Sequence, residues 1–234
     1  MSGVLAALGI PADESRRRAL EHYVSELELW NRKRSLVGAT GEELLVRHLA
    51  DSLAALPVVR RELFRGDPAK DPSRGGVEER PVVLDLGSGG GFPGVPLSVF
   101  LKQARFVLVE RARWKCSFLK SLKAIAGLDN VSVLEADFRA ATFPEALRRV
   151  VSEPPKLIVF RALAAVDEEL ARRLAALLAP GGSVVAYKGR HENARAEAEA
   201  AAVAFAETAV VPLEVPGPAE QRCALVLRLS AGSA

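Results

Sequence analysis

The sequence of 234 residues predicts an α/β fold, with a mostly parallel sheet covered by helices on both faces. From Val82 onward, short apolar runs such as "VVLDL" and "FVLVE" alternate with stretches of helical period, and this alternation is typical of parallel strands joined by helices. The chain before Val82 has helical periodicity only. We therefore divide the chain into a small N-terminal helical appendage at residues 1–64, an exposed linker or insertion at 65–81, and the sheet domain at 82–234.

Two helices are predicted in the appendage. "ESRRRALEHYVSELELWNRKRS" places apolar side chains on one helical face, namely Leu20, Tyr23, Val24, Leu27 and Trp30. "TGEELLVRHLADSLAAL" predicts the second helix, with Thr40 and Glu43 at the spacing of a capping box. The following stretch, "RGDPAKDPSRGGVEERP", is rich in glycine, proline and charge and has no period, which indicates the linker.

The sheet domain predicts strands at "PVVLDL", "RFVLVE", "VSVLEA" and "KLIVF", with helices at "WKCSFLKSLKAIAG" and "VDEELARRLAALLA". "LLAPGGSVVAYK" predicts a Pro-Gly-Gly turn into a sixth strand, and "CALVLRL" predicts a final, antiparallel strand. The segment between them, "HENARAEAEAAAVAFAE", is rich in alanine and glutamate and predicts a helix.

Composition narrows the class of protein. Hydrophobic residues make up 49% and charged residues 26%, and the net charge is +3, which is typical of a globular protein with a mildly basic surface. Two cysteines and three histidines provide neither a disulfide framework nor a metal site. No apolar run is long enough for a membrane span, and the first residues do not resemble a signal peptide. We predict a cytoplasmic monomer without metal or membrane contact.

Three glycines follow the first predicted strand at alternate positions, Gly87, Gly89 and Gly91, with Ser88 between the first two. Glycines permit positive φ and let backbone N–H groups approach a ligand, although a tight turn also favours them. The dinucleotide fingerprint G-x-G-x-x-G requires a third glycine where this chain has Phe92. The pattern therefore favours S-adenosylmethionine (SAM) over a ligand with a diphosphate, and a dehydrogenase is the weakest alternative.

Acidic residues after the first three strands fit the same cofactor. Asp85 is predicted to face the ammonium group of the methionine part, directly or through water. Glu110 ends the second strand, where a carboxylate accepts from the ribose hydroxyls of SAM or of NAD. Asp137 is predicted to accept from the adenine amino group, with Phe138 against the ring. With the Pro-Gly-Gly turn, these residues predict a Rossmann-like SAM-dependent methyltransferase.

The chain also resembles one family, the RsmG (GidB) small-subunit ribosomal RNA guanine-N7 methyltransferases. The resemblance runs from about Tyr23 to the last strand. It is carried by "GFPGVPL", by "LVRHLADSL", by "WN" at Trp30 and by the dipeptides "RA" and "KG" at Arg161 and Lys188.

The resemblance implies a SAM site that includes Gly87, Phe92, Phe138, Arg139 and Arg161. It implies that the appendage borders the active site, with Asn31, His48 and Asp51 nearby, and we assign Arg161, Asn31 and His48 to catalysis. His48 and Asp51 lie three residues apart on one helix, at a spacing suited to a mutual hydrogen bond. Lys188 and Arg222 resemble the family's basic positions for RNA.

Guanine N7 already carries a lone pair, so its methylation needs no general base, and the task of the protein is positioning. The implied partner is small-subunit rRNA or the assembling small subunit. Basic groups at 16–18, at 32–34 and at Arg111, Arg113 and Lys115 suggest a surface that follows the RNA backbone.

The chain departs from the family pattern at Ser35, Val37, Asp137, Arg139 and Cys223. The departures at Ser35, Val37 and Cys223 leave open a SAM-dependent methyltransferase of a protein or small molecule. A non-catalytic assembly factor that binds rRNA is a further alternative.

Overall fold

A computed structural model describes residues 1–65, 80–217 and 221–231. Seven strands in these ranges form one sheet in the order β3-β2-β1-β4-β5-β7-β6. Strands β1 to β5 are parallel, and β7 runs antiparallel to both β5 and β6. The structure thus confirms the α/β class, with a mostly parallel sheet and an antiparallel last strand. The strands are β1 (Val82–Leu86), β2 (Arg105–Glu110), β3 (Val131–Glu135), β4 (Leu157–Arg161), β5 (Ser183–Lys188), β6 (Glu207–Pro212) and β7 (Cys223–Arg228).

Helices form most of the N-terminal part and lie in the connections between β1 and β6. They are α1 (Ser2–Ala7), α2 (Glu14–Asn31), α3 (Gly41–Leu44), α4 (Asp51–Ala54), α5 (Leu56–Leu63), α6 (Gly94–Phe100), α7 (Arg113–Ile125), α8 (Phe143–Arg148), α9 (Glu168–Leu177) and α10 (His191–Ala201). None of the described helices is both long and apolar enough to cross a membrane.

The predicted second helix differs from a regular α-helix. Between α3 and α4 the chain forms a π-helical segment, Leu45–Ala50, in which the turn is wider. Thr40 is the N-cap residue of α3 but its side chain makes no capping hydrogen bond, so the capping box is not formed. The apolar period of the sequence does not distinguish this wider turn from a regular α-helix.

Two predictions in the last third of the chain were wrong. The strand after the Pro-Gly-Gly turn is the fifth in chain order and not the sixth, because four strands precede it. The Ala/Glu-rich helix ends at Ala201, and the unpredicted strand β6 follows at Glu207. This strand lies at the sheet edge and its side chains are half-buried or exposed, so it lacks the continuous apolar run of the central strands.

The sheet has an apolar core on each face. Val83, Leu108 and Val159 point to the face covered by the N-terminal helices, α6 and α7. Leu84, Val107 and Ile158 point to the opposite face, covered by α8, α9 and α10. The central strands are buried on both sides, which explains why their sequences are apolar without alternation.

A buried carboxylate joins the N-terminal helices to the sheet. Glu62 of α5 is fully buried and accepts from Arg228 of β7 at 2.8 and 2.9 Å, and Ser183 of β5 donates to it at 3.3 Å. The predicted appendage therefore shares both its core and this ion pair with the sheet domain. Residues 66–79, which are most of the predicted linker, lie outside the described residues.

Candidate active site

The candidate site lies at the carboxyl ends of β1 and β4, where the direction of strand order reverses. Strands β2 and β3 lie on one side of β1, and β4 and β5 lie on its other side. Open α/β sheets bind ligands at such a point. The glycine loop follows β1 directly, and Arg161 is the last residue of β4.

The glycine loop has the backbone conformations that its sequence predicts. Gly87, Gly89 and Gly91 have φ of 71°, 55° and 96°, which non-glycine residues rarely adopt. A Cβ on Gly87 would lie 2.7 Å from Leu163 Cδ1. The N–H groups of Gly87 and Ser88 donate to the Val109 carbonyl at 2.9 and 3.0 Å, which fixes the loop against β2.

Asp85 lies beneath this loop and is fully buried. The Gly94 N–H donates to its Oδ2 at 3.1 Å, whereas its Oδ1 has no partner among the described residues. Burial raises the pKa of the Asp85 carboxyl to about 7. We expected Asp85 to face a ligand, but the structure places its carboxylate behind the cavity wall.

The first cavity of the site has a volume of about 290 Å³ and lies between the ends of β1, β2 and β3. Glu110 is on its wall, and its two oxygens accept from the Gly89 and Ala112 N–H groups at 3.0 and 2.8 Å. The carboxylate is therefore fixed in one orientation. Predicted cofactor residues on the wall are Gly87, Glu110, Asp137, Phe138 and Arg139, together with the unpredicted Val109, Arg111, Lys115, Ala136, Ala162 and Leu163.

Asp137, Phe138 and Arg139 are connected to one another. Asp137 Oδ1 accepts from the Arg139 N–H at 2.9 Å, and the Arg139 guanidinium lies 5.3 Å from the centre of the Phe138 ring. Phe138 is buried in the core beneath α8 and α9. Arg139 thus covers the aromatic ring at the edge of the first cavity.

Arg161 is the centre of a polar cluster between the sheet and the N-terminal helices. Its Nη1 donates to Asp51 Oδ2 at 3.1 Å, and its Nη2 lies 2.7 Å from His48 Nδ1. Its guanidinium also lies 4.9 Å from the centre of the Phe92 ring, which itself stacks on His48 at 5.2 Å. His48 and Asp51 both contact Arg161, where the sequence suggested a bond between them.

The protonation state of His48 follows from this geometry. Burial and then the charge of Arg161 lower the pKa of His48 to about 4. The imidazole is therefore neutral at physiological pH, and Nδ1 accepts the hydrogen bond from Arg161. Phe92 is buried between His48 and Tyr23, whose hydroxyl donates to the Gly90 carbonyl at 2.7 Å.

The second cavity has a volume of about 540 Å³ and adjoins the first, because Ala162 and Leu163 line both. Ala162 has a φ of 53°, an unusual conformation for a residue with a side chain. Four basic side chains line this cavity against two carboxylates, so its wall is net positive. They are Arg47, Arg161, Lys188 and Arg222, with Asp51 and Glu197.

The two predicted RNA residues are both on this wall, but neither points freely outward. Lys188 pairs with Glu197 and donates to the Ala164 carbonyl at 2.9 Å. Arg222 Nε lies 3.4 Å from Asp51 Oδ1. Asp51 thus connects Arg161 to Arg222, each through a different oxygen. The sequence placed Asp51 near the site but gave no signal for this bridge.

Asn31 lies on neither cavity wall. Its Oδ1 accepts from the Leu36 and Val37 N–H groups at 2.8 and 2.9 Å, and its Nδ2 donates to the Ala39 carbonyl at 3.0 Å. Its side chain therefore fixes the loop after α2 and does not join Arg161 and His48, as a catalytic group would. The resemblance to the family suggested a catalytic role for Asn31, whereas its hydrogen bonds in the structure hold the loop after α2.

Comparison with known proteins shows the family to which the chain belongs. The family model GidB, described as rRNA small subunit methyltransferase G, matches residues 16–223. The ribosomal RNA small subunit methyltransferase G of Acidovorax sp. is 32% identical over 224 residues, which cover 95% of this chain and 91% of that protein. The protein of the same name from Bordetella avium is 28% identical over 228 residues, which cover 97% and 91%.

Solved structures are similar in fold. A predicted O-methyltransferase from Agrobacterium tumefaciens superimposes with a TM-score of 0.51 at 21% identity, covering 79% of this chain and 81% of that chain. Fibrillarin from Aeropyrum pernix, in complex with natively bound S-adenosyl-L-methionine, gives a TM-score of 0.50 at 16% identity and covers 71% and 76%. The family match covers most of the chain, and the chain belongs to the rRNA small subunit methyltransferase G family.

Proposed function

We propose that this protein transfers a methyl group from SAM to N7 of a specific guanine in small-subunit (16S) rRNA. The observation that carries the proposal is the pair of adjoining cavities. One is lined by the glycine loop and a fixed carboxylate, the other is net positive, and they meet at Ala162 and Leu163. A cofactor and a polyanionic substrate bound side by side would bring their reacting atoms together at this boundary.

The residues of the first cavity fit SAM. Glu110 offers a fixed carboxylate for a pair of ribose hydroxyls, and Phe138 and Leu163 give apolar contact for a purine. Asp85 is not counted among these ligand contacts, because it is fully buried behind the cavity wall and accepts from the Gly94 N–H at the start of α6.

A dinucleotide fits less well. The Gly94 N–H at the start of α6 already donates to Asp85, and Phe92 is packed between Tyr23 and His48 in place of the third glycine. A diphosphate would need that helix start to be open. The geometry therefore favours SAM over NAD.

When bound, SAM supplies an electrophilic methyl group. This chain then has to hold a guanine with its N7 lone pair toward the cofactor cavity, and no proton needs to be removed. Arg161 is oriented for this by His48 and Asp51, and Arg222 lies on the other side of Asp51. We assign Arg161 to substrate or cofactor orientation, and Arg222 with Lys188 to the RNA.

Neither cysteine is suited to covalent catalysis. Burial raises the pKa of Cys116 to about 11 and raises that of Cys223 as well, so both thiols stay protonated at neutral pH. This agrees with a direct transfer in which positioning provides the rate enhancement. The cytoplasmic location and the monomeric state stay predictions.

Methyl transfer from labelled SAM tests the proposal. The substrates are small-subunit particles from a strain that lacks the enzyme and, in parallel, naked 16S rRNA. Borohydride reduction and aniline cleavage then reveal 7-methylguanosine. Cleavage at a single position supports the proposal, whereas incorporation without cleavage would mean another target atom. Binding of SAM without any incorporation would favour a protein or small-molecule substrate or a non-catalytic assembly role.

A matched pair of variants separates the roles of the two cavities. Arg222→Ala is expected to raise the KM for RNA and to leave SAM affinity unchanged. Glu110→Ala is expected to weaken SAM binding in the absence of RNA. If Arg222→Ala abolished SAM binding, the division between a cofactor cavity and an RNA cavity would be wrong.

A further inference from the structure

Basic side chains from two distant segments meet around Trp114, near the first cavity. Arg34 belongs to the loop after α2, and Lys115 to the first turn of α7. The Arg34 guanidinium and the Lys115 ammonium each lie 5.6 Å from the centre of the Trp114 ring. We call this the Trp114 surface; it consists of Arg32, Lys33, Arg34, Arg111, Arg113, Trp114 and Lys115.

The position of this surface is fixed by the core. Trp30, at the end of α2, packs edge-on against Phe118 of α7, with ring centres 5.5 Å apart. Trp114 itself is partly buried against the same apolar cluster. The loop at 32–34 is therefore held beside the start of α7, and its cations are added to those of α7.

These charges stand in an unfavourable place for helix stability. The first turn of α7 contains Arg113 and Lys115 and no acidic residue. Cations at a helix N-terminus oppose the positive end of the helix dipole. Arg32, Lys33, Arg34, Arg111 and Arg113 are exposed, and Arg111 has only a loose pair with Asp137 at 3.8 Å. A bound polyanion would offset both the dipole and the mutual repulsion of these cations.

The third predicted basic group, at 16–18, is different. Arg16 pairs with Asp13 at 3.0 Å, and Arg18 pairs with Glu14 on the same helix. These exposed pairs are what an ordinary solvated helix shows. The charge excess therefore lies on the Trp114 surface.

The Trp114 surface is continuous with the cofactor cavity, because Arg111 and Lys115 line that cavity. We propose that the Trp114 surface binds phosphates of the rRNA strand that carries the target guanine. Trp114 holds Arg34 and Lys115 in place through cation–π contacts, and the strand passes the cofactor cavity on its way to the second cavity. This inference rests on the proposed function and adds an RNA contact on the side of the site opposite Arg222.

The test is the salt dependence of rRNA binding. The double variant R34Q/R113Q removes two exposed cations without touching the cavity walls. We expect its logarithmic salt slope for a single-stranded 16S rRNA fragment to fall by about 1.4, at roughly 0.7 per phosphate contact, and its Kd to rise roughly tenfold at moderate salt. SAM affinity should match that of the wild-type protein, and thermal stability should not fall, because two cations that oppose the α7 dipole and repel their neighbours are removed.

Arg148→Gln is the matched control. Arg148 is exposed in the last turn of α8. The Val150 carbonyl just after it accepts a hydrogen bond from Arg105, the first residue of β2, so Arg148 lies near the amino ends of the strands and the site lies at their carboxyl ends. Its salt slope should equal that of the wild type. A second variant, Trp114→Leu, should keep every charge but release Arg34 and Lys115, and weaken binding less than the double variant.

The outcomes separate this inference from the proposed function. If the wild type methylates rRNA and R34Q/R113Q binds it like Arg148→Gln, the Trp114 surface is not an RNA contact. If the double variant is impaired only on assembled subunits and not on naked rRNA, the surface contacts an acidic ribosomal protein and the proposal is overturned. If the wild type neither binds nor methylates rRNA, both proposals are wrong.

Discussion

Replacing Asp51 with alanine should destabilise the protein and disorganise the second cavity together. The Asp51 side chain is 8% exposed, and it neutralises Arg161 and Arg222, which are 16% and 21% exposed. Breaking a buried ion pair by removing one partner costs about 3–5 kcal/mol. Because both arginines keep some access to water, we expect the lower end, about 3 kcal/mol. For a chain of this length, that corresponds to a fall in Tm of about 6–12 °C.

The assay is thermal unfolding of the wild type and two variants at pH 7, followed by RNA titration. Glu43→Ala is the control, because Glu43 forms an exposed pair with Arg47 in the same part of the chain, with side chains 52% and 55% exposed. An exposed pair contributes about 0.5 kcal/mol or less, so its Tm should barely change. A fall in Tm for Asp51→Ala no larger than that of Glu43→Ala would refute the bridge as a stabilising contact.

Three further predictions concern the site. Replacing Glu110 with glutamine should raise the Kd for SAM about 30-fold, since losing a charged acceptor costs about 2 kcal/mol, and calorimetric titration measures it; an unchanged Kd would exclude Glu110 as a ligand. His48 has a folded pKa of about 4, below its usual 6.5. Since the unfolded state takes up this proton first, the folded protein loses stability as the pH falls from 6.5 toward 4. His48→Gln should reduce that loss in Tm scans, and an unaltered acid profile would contradict it. Asp85 has a folded pKa of about 7, above its usual 3.8, so its contribution to stability is lost as the pH rises from 4 through 7. The Tm of Asp85→Asn relative to that of the wild type should therefore be higher at pH 8 than at pH 4. The same Tm difference at both pH values would exclude a buried charge at Asp85.

Much of the site could be predicted because its chemistry depends on local sequence. Gly87, Gly89 and Gly91 have positive φ, a conformation that glycine permits without steric cost, so three glycines after a predicted strand could indicate such a loop. Glu110 could be placed on the wall because it ends a strand, and the carboxyl ends of parallel strands meet at one edge.

Contacts between distant segments could not be predicted in this way. Asp51 bridges Arg161, which lies 110 residues further along the chain, and the still more distant Arg222, and no local period encodes that meeting. Asn31 was assigned to catalysis from the resemblance to the family, but its side-chain amide is occupied by hydrogen bonds to the loop after α2. Which group a polar side chain finds depends on packing between elements.

The sequence by itself determined the α/β class, the glycine loop and the positions of most strands along the chain, because burial on both faces and backbone freedom are local properties of residue type. Only the tertiary structure decided three other features. They are the edge strand β6, the two cavities that meet at Ala162, and the basic surface around Trp114. Edge strands are half-exposed and carry a weak apolar signal, and cavities and charged surfaces arise where segments far apart in the chain are packed together.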